Sequence, residues 1–97
     1  ENEIEIRQAR LLCLEAASKA DQGLPFRTES AIAKYVSAES SFRVVDRSMQ
    51  IHGGLGVAKD LPFERWFREM RIRRIGEGPS EVQKHVIARD ILGQGLR

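Results

Sequence analysis

QIHGGLGVAKDLPFERWFREMRIRRIGEGPSEVQ, residues Gln50 to Gln83, decides how the chain is read. It holds five of the eight glycines, two of the three prolines and the single Trp, so most of the chain's conformational punctuation falls here. Two short loops stand out. Gly53-Gly54-Leu55-Gly56 follows a helical pattern, and Gly76-Glu77-Gly78-Pro79 precedes another. Glycine takes backbone angles that other residues avoid and lets a main chain approach a partner closely. A carboxylate set between two glycines at a helix start is more than packing alone requires. The rest of the chain is expected to be a scaffold that places these two loops.

Working outward, Asp60-Leu61-Pro62 opens a short helix, because Pro suits a first turn where its missing N–H costs nothing. Phe63, Trp66, Phe67, Met70 and Ile75 supply its apolar side, with Trp66 and Phe67 expected to be core rather than a stacking platform. Arg65, Arg68, Arg71, Arg73 and Arg74 supply a solvated or ion-paired side. Past the second loop, a helix from about Pro79 to Leu92 carries Val82, Val86, Ile87 and Ile91, with Gly93 expected to end it. Upstream, residues 2–22 form a helix whose apolar stripe is Ile4, Ile6, Leu11, Leu14, Ala17 and Ala20, stopped by Gly23 and Pro25. A longer helix from an N-cap at Thr28 to about Ile51 packs through Ile32, Tyr35, Val36, Phe42, Val45 and Met49, and Gly53 and Gly54 end it. There is no strand pattern, repeat or low-complexity segment. The expected fold is all-α, an antiparallel four-helix bundle occupying residues 1–97 as one helical domain.

Composition bounds the function classes. Ninety-seven residues with 41% hydrophobic and 31% charged content suit one folded domain. A net charge of +2 is too small to imply nucleic acid or a membrane surface. No apolar run reaches bilayer length and no metal-ligand cluster exists. The single Cys13 lies among leucines and is expected to be a buried, inert thiol, in keeping with a reducing compartment. His52 is expected to be a packed loop histidine and His85 exposed. Apolar residues beyond one stripe per helix suggest faces that meet another domain, a partner subunit or a ligand.

In order along the chain, Gln8-Ala9-Arg10-Leu11, Asp21-x-Gly23, Ala33-Lys34, Gln50-Ile51-His52-Gly53-Gly54-x-Gly56, Asp60-x-Pro62-x-Glu64-Arg65-x-x-Arg68, Ile75-x-Glu77-Gly78-x-Ser80-Glu81-Val82-Gln83 and Ile87-Ala88-Arg89 resemble the C-terminal helical domain of acyl-CoA dehydrogenases. The resemblance covers nearly the whole chain, and the ordered set is specific where any one piece would be weak. It implies an FAD-dependent oxidation of the Cα–Cβ bond of an acyl-CoA to the trans-2-enoyl product. It implies subunits that pair as dimers or tetramers, with electron-transfer flavoprotein or a similar acceptor as partner. It also implies an N-terminal helical domain and a middle β-domain, which are not expected within these residues.

By the same resemblance Glu77 matches the catalytic base and Gly78 a position beside the substrate thioester. Gln50, Ile51, His52, Gly53 and Gly54 match a segment that touches the FAD of a neighbouring subunit. Pro79, Ser80 and Glu81 match positions after the base that also contact FAD. Pro79 departs from the Thr common there, and so removes a hydroxyl and an N–H. The chemistry is coherent with the residues: an α-proton of a thioester needs a close carboxylate and a stabilised oxyanion. A helix N-terminus beside Glu77 offers free N–H groups to a thioester oxygen or phosphate.

Three functions compete at this stage: part of a dehydrogenase, a stand-alone helical module that self-associates or docks without catalysis, and a basic nucleic-acid binder. The chain starts inside helical sequence, as a fragment would. By itself it is expected to bind no flavin, to be inactive and to self-associate. The expected location is the cytoplasm, or the mitochondrial matrix in a eukaryote.

Overall fold

The computed structural model describes residues 1–95, with side chains described through residue 93. Four α-helices appear in order: α1 (Asn2–Asp21), α2 (Arg27–His52), α3 (Phe63–Ile72) and α4 (Ser80–Gly95). A 3-10 segment, Gly53–Val57, joins α2 to α3, and the described residues contain no strand. The all-α expectation therefore holds, with helix limits within a few residues of those the sequence suggests.

Helix α2 is the spine. Helices α1, α3 and α4 each pack along it, and among the described residues no backbone of these three approaches another. The result is long, 54 × 24 × 20 Å, with a radius of gyration of 16.1 Å. A compact domain of this length would have about 13 Å. Packing on one spine also explains the thin core. The buried positions of α2 are Ala31, Ala33, Ala38 and Ser40, small side chains that let neighbouring helices come close. Among the described residues no large side chain is fully buried, while Ile4, Leu11, Leu14, Ile51, Val57, Ile91 and other apolar residues stay exposed. Contiguous apolar exposure of this kind marks faces that meet another surface.

The helix ends show which sequence signals were strong. Gly23 (φ 71°) closes α1 as anticipated, its N–H donating to the carbonyl of Ala20 and that of Leu24 to Lys19. This is the paired pattern that a left-handed residue after a helix permits. Thr28 is not the N-cap of α2. The helix begins at Arg27 after Phe26, with no side-chain cap, because Ser30 N–H already bonds the Phe26 carbonyl. Gly93 does not end α4, which continues to Gly95. Cys13 is exposed, its sulfur 3.5 Å from Ser37 Oγ, which corrects the buried-thiol expectation.

The packing face of α1 is also corrected. Ile4, Leu11 and Leu14 are 61%, 67% and 58% exposed and Ala17 and Ala20 also face solvent. The side against α2 is Asn2, Glu5, Ala9, Leu12, Ala16 and Lys19, all half-buried, at alternating spacings of three and four. Glu5 is the reason this polar stripe packs. Arg47 grips both its oxygens at 2.9 and 3.0 Å, and Arg43 Nε reaches Oε1 at 2.9 Å. At the far end Lys19 pairs with Glu29 at 2.6 Å, which fixes α1 antiparallel to α2.

The Arg47 hydrogen bonds, opposed by burial and helped by Arg43, hold the Glu5 carboxyl down to about 2 from an ordinary value of 4.5. A depressed carboxylate contributes stability above its unfolded-state pKa and loses it on acidification. The α1–α2 pairing should therefore weaken as pH falls from about 4.5 towards about 2. Thermal midpoints followed by circular dichroism should drop across that window, and Glu5→Gln should flatten the drop. A Glu5→Gln protein with the parental slope would contradict this.

Candidate functional site

Residues 75–79 form a loop pinched shut at its base. Ser80 N–H donates to the Arg74 carbonyl at 3.1 Å, and Gly76 N–H to that of Ile72 at 2.8 Å. Gln83 Nε2 donates to the carbonyl of Gly78 at 3.1 Å. Glu77 sits at the tip, exposed, with φ 52°; it is the one non-glycine residue at positive φ among those described. Such a conformation is unfavourable for a side-chain-bearing residue and persists only where its surroundings impose it. The following Gly78 (φ 89°) holds backbone angles that favour glycine, and a Cβ there would have to push aside the end of the Gln83 side chain. The Glu77 carboxylate has no hydrogen-bond or ion-pair partner among the described residues.

Helix α4 starts directly after this loop. The amides of Glu81 and Val82 make no hydrogen bond to described residues, as expected of a first turn. These donors and the positive end of the helix dipole lie directly after the loop that carries Glu77. Pro79 is half-buried and Glu81 exposed, but Ser80 is only 6% exposed. Its hydroxyl donates inward to Glu39 Oε1 at 2.7 Å, so neither its O–H nor its N–H is left for a ligand.

The first glycine stretch lies elsewhere. Gln50, Ile51, His52, Gly53 and Gly54 are all exposed, Ile51 to 78%. Gly53 ends α2 at φ 63°, ψ −144°, a region essentially reserved for glycine. A Cβ on Gly54 would meet nothing within 4 Å. Gly56 does not use unusual angles, contrary to expectation. Its role is close approach, since a Cβ there would strike the Met49 backbone. His52 is tied down by Nδ1 against the Ser48 carbonyl at 2.8 Å and by Phe63, whose ring centroid is 4.5 Å away. A groove of about 370 Å³ opens beside Gln50, Gly53 and Gly54, floored by Met49, Val57 and Phe67.

The structure does not bring the two loops together. Ser80 is anchored at Glu39, and Gly53 lies fourteen residues further along α2. At 1.5 Å per residue that is about 21 Å. A small group cannot touch both at once in one chain. Two residues that meet at the ends of the Glu77 loop, Glu39 and Arg74, have no such role in the sequence reading. Arg74 reads as one of five arginines on a solvated or ion-paired side; it is the half-buried one, paired with Glu39 and lying over the Phe42 ring at 5.5 Å. Arg65, Arg68, Arg71 and Arg73 are exposed as expected, with Arg68–Glu64 at 2.9 Å. The available signal was Glu39 itself, an acid beside Ala38 and Ser40 in the small-residue stretch of the spine.

Comparison with known proteins identifies a family for the chain. The profile described as acyl-CoA dehydrogenase, C-terminal domain, matches residues 1–92. The 3-(aryl)acrylate reductase of Clostridium sporogenes is 44% identical over 90 residues, covering 93% of this chain and 24% of the relative. The mitochondrial short-chain specific acyl-CoA dehydrogenase of Bos taurus is 41% identical over 87 residues, covering 90% and 21%. Among solved structures, butyryl-CoA dehydrogenase from Megasphaera elsdenii superimposes with a TM-score of 0.90 at 38% identity, over 93% of this chain and 24% of that one. The chain thus spans less than a quarter of the length of these relatives.

Proposed function

The chain belongs to the acyl-CoA dehydrogenase family, as its C-terminal domain, and from that premise we propose that it supplies the proton acceptor for oxidation of acyl-CoA to trans-2-enoyl-CoA. The observation that carries the proposal is Glu77: an unpartnered carboxylate, exposed at the tip of a closed loop, beside the first turn of a helix.

In this reading Glu77 takes the pro-chiral α-proton of the thioester, and Gly78 leaves the backbone beside it bare enough for the acyl carbonyl to approach. The amides at the start of α4 stabilise negative charge that develops near the loop. FAD, when bound, would supply the acceptor for the hydride that leaves Cβ. The residues present fit such a group. Gly53 and Gly54 present backbone with no Cβ in the way, Gln50 offers an exposed amide, and Pro79 and Glu81 follow the base. The separation of the two anchor points, about 21 Å along α2, suits different contacts: Gln50–Gly54 towards the FAD of a neighbouring subunit, and residues 76–81 towards the substrate and its own flavin. Ser80 acts within the domain. Ile51 and His52 shape the segment, His52 through its hold on Ser48.

The remaining parts of the proposal follow from this one. The exposed stripe Ile4, Leu11 and Leu14 supports association with another domain or subunit, in a dimer or tetramer. An electron-transfer flavoprotein or similar protein is the acceptor of the electrons. No helix among the described residues is long and apolar enough to cross a membrane, and the cytoplasm or mitochondrial matrix is the proposed compartment.

The testing experiment is a spectral titration of the full-length protein with saturated acyl-CoA thioesters, without an electron acceptor. Loss of the oxidised flavin absorbance with a thioester, and none with the free acid, is the expected result. A protein that carries no flavin, or whose flavin responds only to enoyl-CoA in the presence of a reductant, would contradict the assigned reaction. In the isolated chain, retention of flavin would count against the division of the pocket between domains.

A further inference from the structure

Both ends of the Glu77 loop meet on one carboxylate that lies on another helix. Ser80 Oγ donates to Glu39 Oε1 at 2.7 Å. Arg74 Nε lies 2.9 Å from Glu39 Oε2 as an ion pair, though its N–H is not aligned as a hydrogen bond. Lys34, also on α2, donates to the carbonyl of Arg73 at 2.6 Å. Glu39 itself makes no contact with Glu77.

We infer that Glu39 is a positioning residue for Glu77, its two oxygens fixing the residues immediately before and after the loop that carries the acid. The inference rests on the reading of Glu77 as proton acceptor. Three observations carry it. Glu39 is mostly buried, its side chain 16% exposed, so its charge must be compensated where it stands. Burial works against the charge, but the Ser80 hydroxyl and Arg74 outweigh it and the carboxyl is held below its ordinary value. The loop between these anchors is five residues long and closed by the Ser80–Arg74 backbone bond, so its course is set mainly by where its ends are held. Finally, Glu77 occupies a backbone conformation that requires outside constraint. Without Glu39, Arg74 would be a half-buried cation over Phe42 with no anion, and would turn outwards, releasing the front of the loop.

A role confined to holding α2 against α4 predicts different numbers from a role in aiming the acid. The variants Glu39→Gln, Glu39→Ala and Ser80→Ala are made in the full-length protein and assayed per bound flavin with a saturated acyl-CoA and its α-deuterated form. Glu39→Gln keeps an acceptor for Ser80 but no charge for Arg74. The expected result is a fall in kcat of about 10- to 100-fold in Glu39→Ala, because small misplacement of a reacting group costs that much. Smaller falls are expected in Glu39→Gln and Ser80→Ala, with KM changed less than about threefold on the same argument. The α-deuterium isotope effect on kcat should rise, since proton transfer becomes slower relative to other steps. Losses that only track flavin content or thermal midpoint, with the isotope effect unchanged, would overturn the inference. Glu77→Gln run alongside separates the failures. Parental turnover in Glu77→Gln removes the base and the inference together, whereas loss there with kcat within twofold in Glu39→Ala and Ser80→Ala removes the inference alone.

Discussion

Glu77→Gln in the full-length protein is expected to lower turnover by about 10²- to 10⁴-fold, the range a positioned general base supplies. The amide keeps the size of the side chain and the backbone at φ 52°, so the loop should keep its shape. Glu77 has no ion pair to lose within the described residues, and its exposure means that removing the charge leaves no buried partner uncompensated. Stability should therefore shift by no more than about 0.5 kcal/mol, as is usual for surface changes. Flavin content should match the parent, because the proposed flavin contacts lie on other residues. The decisive pattern is lost kcat with substrate still bound. A variant that loses flavin or folds poorly would point to a structural acid, and one that turns over normally would remove the catalytic assignment.

The second large effect falls on Gly56. A methyl group there would overlap the Met49 carbonyl oxygen and come within 3.0 Å of its Cα and 3.1 Å of its carbonyl carbon. These are backbone atoms inside α2, which cannot yield without breaking helical hydrogen bonds. The 3-10 segment must lift away instead, and Gln50 to Gly54 lie between the two contact points. Forcing a group into a packed site costs about 1–3 kcal/mol, and each kcal/mol lowers the midpoint of a domain this size by about 4–8 °C. Gly56→Ala should lower the thermal midpoint accordingly and reduce flavin retention in the full-length protein. Gly54→Ala is the control, since its methyl meets nothing and its φ is not positive. It should leave the midpoint within about 2 °C, given the small cost of surface changes, while still disturbing any ligand that lies on that backbone. Equal midpoints for the two variants would refute the close-approach argument.

These contrasts indicate what a sequence carries by itself. Helix limits were legible because Gly23, Gly53 and Pro62 act locally, through backbone angles and missing donors. The site stretches were legible because the loops around Gly53 and Glu77 are punctuated by glycine. The packing face of α1 was not. Periodicity reveals that Ile4, Leu11 and Leu14 share a side, but not which surface covers it. Among the described residues nothing covers that side, and α1 turns its small and charged side to α2, where Arg43 and Arg47 neutralise Glu5. That pairing spans about forty residues, so no local pattern announces it. Glu39 was hidden for the same reason: its partners Arg74 and Ser80 are far along the chain and resemble ordinary surface residues. Cys13 misled because its leucine neighbours alternate around a helix that is only half covered.

The most direct measurement follows one hydrogen atom. The full-length protein is incubated in D₂O with an acyl-CoA analogue in which sulfur replaces the Cβ methylene, so that an α-proton can leave but no hydride can follow. Mass spectrometry then reads deuterium at Cα. The parent protein should incorporate deuterium and Glu77→Gln should not. Incorporation by Glu77→Gln at the parental rate would show that another group removes the proton, and the account of this chain as the bearer of the base would fall.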